Sequence, residues 1–166
     1  TEIYTLSLHD ALPIYGWLIP STDTGENKIL LDGGEWGDVE ISLTALFNSG
    51  TSYSLYYRAD DNALAMDGYQ FLYYGGSQRF YVYKMADGKH VVLQNVNMKK
   101  IMPAGFVAAG VPHTIRIVAV GDHQTVYVDN TPIMDFYDST YSTGQIVLRG
   151  SNKSDVAFDQ IQVSKP

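Results

Sequence analysis

The chain has 166 residues, with 18 acidic against 11 basic side chains, a formal net charge of −7 and no cysteine. That balance argues against nucleic acid or an anionic lipid surface as partner, because both demand clustered Lys and Arg, and Lys99-Lys100 is the only adjacent basic pair. The hydrophobic content of 45% fits a packed domain, no apolar run is long enough to span a bilayer, and the lack of thiols excludes disulfides, thiol catalysis and thiolate zinc.

The first segment, Thr1–Ile14 (TEIYTLSLHDALPI), resembles the translated read-through of a sequencing adaptor, a contaminant of assembled environmental DNA. It is set aside before the fold is read, the alternative being a genuine amphipathic strand or loop, and residues 15–166 are read as a single domain whose native start lies upstream. Beyond it, period-two patterning dominates. In DVEISLTALF, from Asp38 to Phe47, Val39, Ile41, Leu43, Ala45 and Phe47 share one face, and Glu40, Ser42 and Thr44 the other. In SYSLYYRA, Tyr53, Leu55 and Tyr57 alternate with Ser54, Tyr56 and Arg58. In GYQFLYY, Tyr69, Phe71 and Tyr73 alternate with Gln70, Leu72 and Tyr74. Gly75-Gly76-Ser77-Gln78 joins this run to RFYVYK, and Asp87-Gly88 joins RFYVYK to HVVLQ, both as hairpins.

The irregular stretch Asn95–Pro112 is broken by Pro103, Gly105, Gly110 and Pro112, and residues 95–102 are compatible with a strand or a short helix. Then HTIRIVAV and QTVYVD flank Gly121-Asp122-His123, Asp129-Asn130 turns into IMDFY, and QIVLR and VAFDQIQV follow. About ten to twelve short antiparallel strands with no convincing helix predict an all-β sandwich or jelly roll. The 13 tyrosines against 6 phenylalanines leave two readings open. Tyrosine suits a half-wet face that meets a polar ligand, and it is also simply a good strand former.

Two longer strings carry a resemblance over roughly Gly34 to Val163. GEWGDVEISLTALFNSGTSYSLYYRA resembles the early strands of concanavalin A-like jelly rolls. IRIVAVGDHQTVYVDNTPIMDFYDSTYSTGQIVLRGSNKSDVAFDQIQV resembles the closing strands of laminin-G-like and family 66 carbohydrate-binding modules. The resemblance implies a concanavalin A-like sandwich from an extracellular or cell-surface bacterial protein, acting as a non-catalytic, lectin-like carbohydrate-binding module. Its partner would be a polysaccharide or other glycan, with no nucleic acid and no membrane contact. Two alternatives stay open. One is the head of a pilin-like surface protein working through protein partners. The other is a sugar-cleaving domain of the keto-disaccharide hydrolase branch. The resemblance also implies a structural calcium ion held in part by Asp159.

Glycoside hydrolysis needs two carboxylates flanking the scissile bond. The nearest constellation is Glu35, Asp38 and Glu40, in which Asp38 and Glu40 share a face and Glu35 is out of phase, so no catalytic set is assigned. No Gly-x-Ser-x-Gly elbow is present, and His113 and His123 read as strand-end histidines. Recognition is therefore placed on a sheet face bearing Tyr56, Arg58, Gln70 and Tyr74, with Asp60 at its rim and Trp36 as a platform or plug. A guanidinium on a sheet face must be paired or point at a polar ligand, and Glu40 is the expected pairing partner of Arg58.

Overall fold

The computed structural model describes residues 11–14, 17–20, 27–60, 66–102, 105–151 and 153–166. Their thirteen strands are β1 (Ala11–Ile14), β2 (Trp17–Pro20), β3 (Asn27–Trp36), β4 (Val39–Ser49), β5 (Ser52–Ala59), β6 (Gly68–Tyr74), β7 (Arg79–Ala86), β8 (Lys89–Asn97), β9 (His113–Val120), β10 (His123–Val128), β11 (Thr131–Tyr137), β12 (Gly144–Gly150) and β13 (Asp155–Ser164). They pair antiparallel into a seven-stranded sheet, ordered β1-β2-β13-β4-β9-β10-β11, and a six-stranded sheet, ordered β3-β12-β5-β6-β7-β8. The hydrophobic core lies between the sheets.

The alternating runs fold as their pattern dictates. On β4, Val39, Ile41, Leu43, Ala45 and Phe47 are buried, and Glu40, Ser42 and Thr44 are half-buried on the outer face. Each such aliphatic or aromatic burial contributes roughly 1.5–3 kcal/mol. The hairpin turns use the expected chemistry: Asp87 and Gly88 have φ of 51° and 70°, and Asp129 and Asn130 of 49° and 63°. Positive φ at both central residues is the turn whose twist matches the flanking strands. Residues 98–101 form the one-turn helix α1 (Met98–Ile101), which Asn97 caps by accepting from the Lys99 N–H, and Met98 is fully buried.

Three features go beyond the sequence expectation. The strand count exceeds ten to twelve because β1, β2 and β3 join the sheets. β3 lacks clean alternation around Gly33-Gly34, and its order comes from pairing with β12. Thr1–Asp10 lie outside the described residues, whereas Ala11–Ile14 pairs with β2 at the sheet edge. Edges offer unpaired N–H and C=O groups to any compatible segment.

The third feature decides between the two readings left open for the tyrosines. Tyr53, Tyr57, Tyr69 and Tyr73 are packed between the sheets rather than on a wet face, with Tyr57 and Tyr69 stacked at 5.3 Å. Burial pushes the hydroxyls of Tyr69 and Tyr73 up to about 12 and those of Tyr53 and Tyr57 higher still. Tyrosine serves this core because its hydroxyl can reach a polar partner at the end of the sandwich. Tyr57 donates to Gln124 Oε1 at 2.6 Å and Tyr69 to Asp138 Oδ1 at 2.7 Å.

Candidate functional site: the outer face of the six-stranded sheet

Strand register arranges the outer side chains of the six-stranded sheet in rows that cross it. One row runs Lys28–Arg149–Ser54–Leu72–Tyr81–Asn95 through successive Cα partners. The next runs Leu30–Val147–Tyr56–Gln70–Tyr83–Val92. Toward the other end of the strands lie Tyr74 and Arg79. The rows exist because Ile29, Leu55, Phe71, Val82 and Leu148 alternate with these residues and anchor the opposite side of each strand in the core.

The rows differ in depth. Tyr56, Gln70 and Ser54 are buried, and Tyr56 packs with Ala59, Met66, Met85 and Val147 in a second, smaller hydrophobic cluster flanked by Tyr83. Gln70 Nε2 donates to Ser54 Oγ and to Tyr56 Oη, both at 2.8 Å, and Arg149 Nη1 also donates to Tyr56 Oη, at 2.9 Å. Gln70 Oε1 is buried with no hydrogen-bond partner among the described residues. This polar floor orients the guanidinium above it.

Lys28, Arg149, Leu72, Tyr81, Tyr83 and Arg79 are half-buried, and Tyr74 and Asn95 are exposed. The Tyr81 and Tyr83 rings stack nearly parallel with centroids 5.4 Å apart, and Arg79 donates to Asn95 Oδ1 at 2.7 Å. The surface therefore offers guanidinium and amide donors beside aromatic planes. Of the residues singled out from sequence, Tyr56 and Gln70 lie beneath this surface and Tyr74 on it. Arg149, Tyr81 and Tyr83 were not singled out, although the alternation in QIVLR and RFYVYK carried the signal.

Arg58 requires a correction. It does not share the face of Tyr56, because a bulge opposite β12 shifts the register between Tyr56 and Ala59 and gives Arg58 a φ of 46°. The side chain, 1% exposed, turns into the end of the sandwich. Its Nε donates to the Gly37 carbonyl at 3.0 Å, and Nη1 donates to those of Gly121 and Tyr141 at 2.7 and 3.2 Å. Nη2 lies 3.5 Å from Asp38 Oδ1, so Asp38 rather than Glu40 is the ion-pair partner; Glu40 pairs with Arg116. Two glycines make the bulge sterically feasible. A Cβ on Gly144 would stand 2.4 Å from the Arg58 carbonyl carbon, and one on Gly68 2.6 Å from Ala59 Cα.

Beside Arg58, Asp138 accepts from Tyr69, from the Thr140 N–H and from Lys84. Burial pushes its carboxyl up, but hydrogen bonding to the Thr140 side chain, Tyr69, the Thr140 N–H and Lys84 together outweighs burial and brings it down to about 2. The perturbed groups thus satisfy one another in a polar plug between the sheets, away from the outer face.

The other candidates occupy separate places. Trp36 is buried in the main core with an edge toward an open cleft of about 560 Å³, which Glu35, Asp38, Val120 and the Lys165-Pro166 pair also line. Glu40 is turned to the outer face of the seven-stranded sheet, so the three acids do not converge. Asp60 is exposed, and its Oδ1 accepts from the Asp67 N–H to close the described ends of the β5–β6 connection; Asp61 lies outside the described residues. His113 is held by Asp129 at 2.6 Å and the Val107 carbonyl at 2.9 Å. Asp159 Oδ1 accepts from the Gln160 N–H, and no cluster of three His, Cys, Asp or Glu side chains suited to a metal occurs among the described residues.

Two sheets, antiparallel pairing and this strand order define a concanavalin A-like, galectin-like jelly roll. The chain belongs to the 3-keto-α-glucoside-1,2-lyase-like domain family, whose sequence profile matches residues 13–164. No protein of curated function matches it. Among solved structures it is similar to the carbohydrate-binding module CBM66 from Bacillus subtilis, with a TM-score of 0.72, 19% identity, and coverage of 90% of this chain and 95% of that one. The Caenorhabditis elegans galectin LEC-6 gives a TM-score of 0.63 at 14% identity, covering 92% and 99%. The mannose- and calcium-bound exoplasmic/lumenal domain of VIP36 gives 0.70 at 10% identity, covering 95% and 81%. At these identities the likeness is one of fold.

Proposed function

We propose that the chain is a non-catalytic carbohydrate-binding module of a secreted or cell-surface bacterial protein, and that the outer face of the six-stranded sheet receives the sugar. The observation that carries this reading is the half-buried row of Arg149, Leu72 and Tyr81. Guanidinium donors suit sugar hydroxyls, and aromatic planes suit the C–H faces of pyranose rings. Tyr56 and Gln70 position Arg149, and Tyr74 extends the surface. Further support comes from the names of proteins with this fold: a carbohydrate-binding module, a galectin and a mannose-bound lumenal domain.

The family's own description favours a second reading, a sugar-cleaving enzyme. Elimination across C1 and C2 of a 3-keto-glucoside needs a base to take the C2 proton as the C1–O bond breaks. Asp38 and Asp138 are committed to Arg58 and Lys84, and Glu40 to Arg116. None of the three stands on the proposed sugar face, so that face is read as binding a sugar rather than cleaving it.

Affinity electrophoresis against levan, β-glucan, xylan and mannan, run beside an assay for product release from a 3-keto-α-glucoside, separates the readings. Retardation by one polymer, weakened by Tyr81→Ala and Arg149→Ala, is the expected result. Product release moves the assignment to an enzyme. Neither retardation nor release moves it to a surface-protein head that works through protein contacts.

A further inference from the structure

Sequence reasoning left one end of the seven-stranded sheet without a role. Tyr137 is 70% exposed, the highest value among the large hydrophobic residues exposed in the described part of the chain. Its ring is nonetheless held in place. Tyr137 and His123 are directly opposed across β11 and β10, and their rings stack at 4.6 Å with only 13° between planes. His123 Nε2 in turn donates to Asp135 Oδ1 at 2.9 Å, and the Asp135 carbonyl accepts from Gln94 of the other sheet at 2.8 Å. The aromatic plane thus stacks on one partner, His123, whose own ring is held by Asp135.

The platform does not stand alone. His123 is also the register partner of Val120 on β9, which is 45% exposed and lines the open cleft of about 560 Å³. Tyr137, His123 and Val120 therefore form a strip that ends at Glu35, the edge of Trp36 and Asp38. Neighbouring strands are about 4.8 Å apart, so the strip reaches the cleft over about 10 Å, the length of a disaccharide. A cleft of this volume falls in the range of small-ligand sites.

We infer that this strip and cleft form a second glycan-binding site, on the opposite sheet from the proposed sugar face, and that its ligand is a neutral oligosaccharide. The aromatic plane takes a sugar C–H face. Asp135 and Asp38 take hydroxyl protons, and each is already engaged through Oδ1, with His123 for one and with the Gly121 N–H and Arg58 for the other. Carboxylates oriented by such partners act as hydroxyl acceptors. These two acids and Glu35 stand against Lys165 in the cleft lining and so disfavour an anionic glycan, and a wholly apolar ligand would leave them stripped of water.

NMR titration of the full chain with cellohexaose, xylohexaose, laminarihexaose and mannohexaose tests the assignment. With at least one of them, saturable shifts are expected for the Tyr137 ring, His123 and Val120. Tyr137→Ala, a change at an exposed position, is expected to weaken that binding roughly tenfold, as loss of an aromatic anchor does. Tyr81→Ala is expected to leave it intact. No shift in the strip with any of the four, or an affinity there unchanged by Tyr137→Ala, overturns the inference. Shifts confined to Leu72 and Tyr81 do the same while leaving the proposed function standing. Shifts in the strip alone uphold the second site and remove support from the first.

Discussion

Replacing Arg58 by Met keeps the length of the side chain and removes the guanidinium that closes one end of the sandwich. Three carbonyls, those of Gly37, Gly121 and Tyr141, lose their donor, and Asp38 loses its ion pair. Hydrogen bonds to a charged group contribute about 1.5–3 kcal/mol each, but the exposed turns that carry these carbonyls admit water and offset part of the loss. Asp38 is 57% exposed and takes up water when the pair is lost, so the three carbonyls set the cost, about 3–5 kcal/mol after that offset. For a domain of this size that lowers the melting temperature by about 6–20 °C. Arg58→Lys retains the charge without the planar fork and falls between wild type and Arg58→Met. Urea unfolding followed by circular dichroism, with sugar binding measured on the folded fraction, checks both parts of the expectation: stability falls and glycan affinity at the six-stranded sheet holds. A loss below about 1 kcal/mol in Arg58→Met, against the range given above, refutes the end-plug argument. A loss of sugar affinity with stability intact returns Arg58 to the binding surface.

The remaining expectations follow from the same neighbourhood. Asp138 has a folded pKa near 2, below its ordinary value of 3.8, so its contribution is present above about pH 4 and lost as pH falls toward 2. Asp138→Asn removes about 2 kcal/mol at neutral pH and flattens the acid limb of a stability–pH profile between those values. Tyr57→Phe leaves Gln124 Oε1 without its 2.6 Å donor and costs about 1–2 kcal/mol in denaturant unfolding, with the fold retained. Gly144→Ala drives a Cβ to within 2.4–2.5 Å of backbone at Arg58 and Ala59. It is expected to destabilise more than Tyr57→Phe, and a smaller effect in the same unfolding series counts against the close-approach account.

Alternation alone determined which faces of β4, β6 and β9 are buried, because a strand with one face on the core has only one register that hides its apolar set. The hairpins at Asp87-Gly88 and Asp129-Asn130 were legible for an equally local reason, the positive φ those turns demand. Local pattern had no access to β3, whose order depends on β12, more than a hundred residues away. It misplaced Arg58, because one bulged residue reverses the side on which a side chain emerges, and that bulge depends on Gly68 and Gly144 from two other strands. It placed Tyr56 and Gln70 on the side of the sheet away from the main core but not at their depth. The Arg149–Tyr81 row and the Tyr137–His123–Val120 strip are alignments across strands. Only the pairing of distant segments creates such neighbours, so tertiary structure alone decided where the two surfaces proposed to meet a ligand lie.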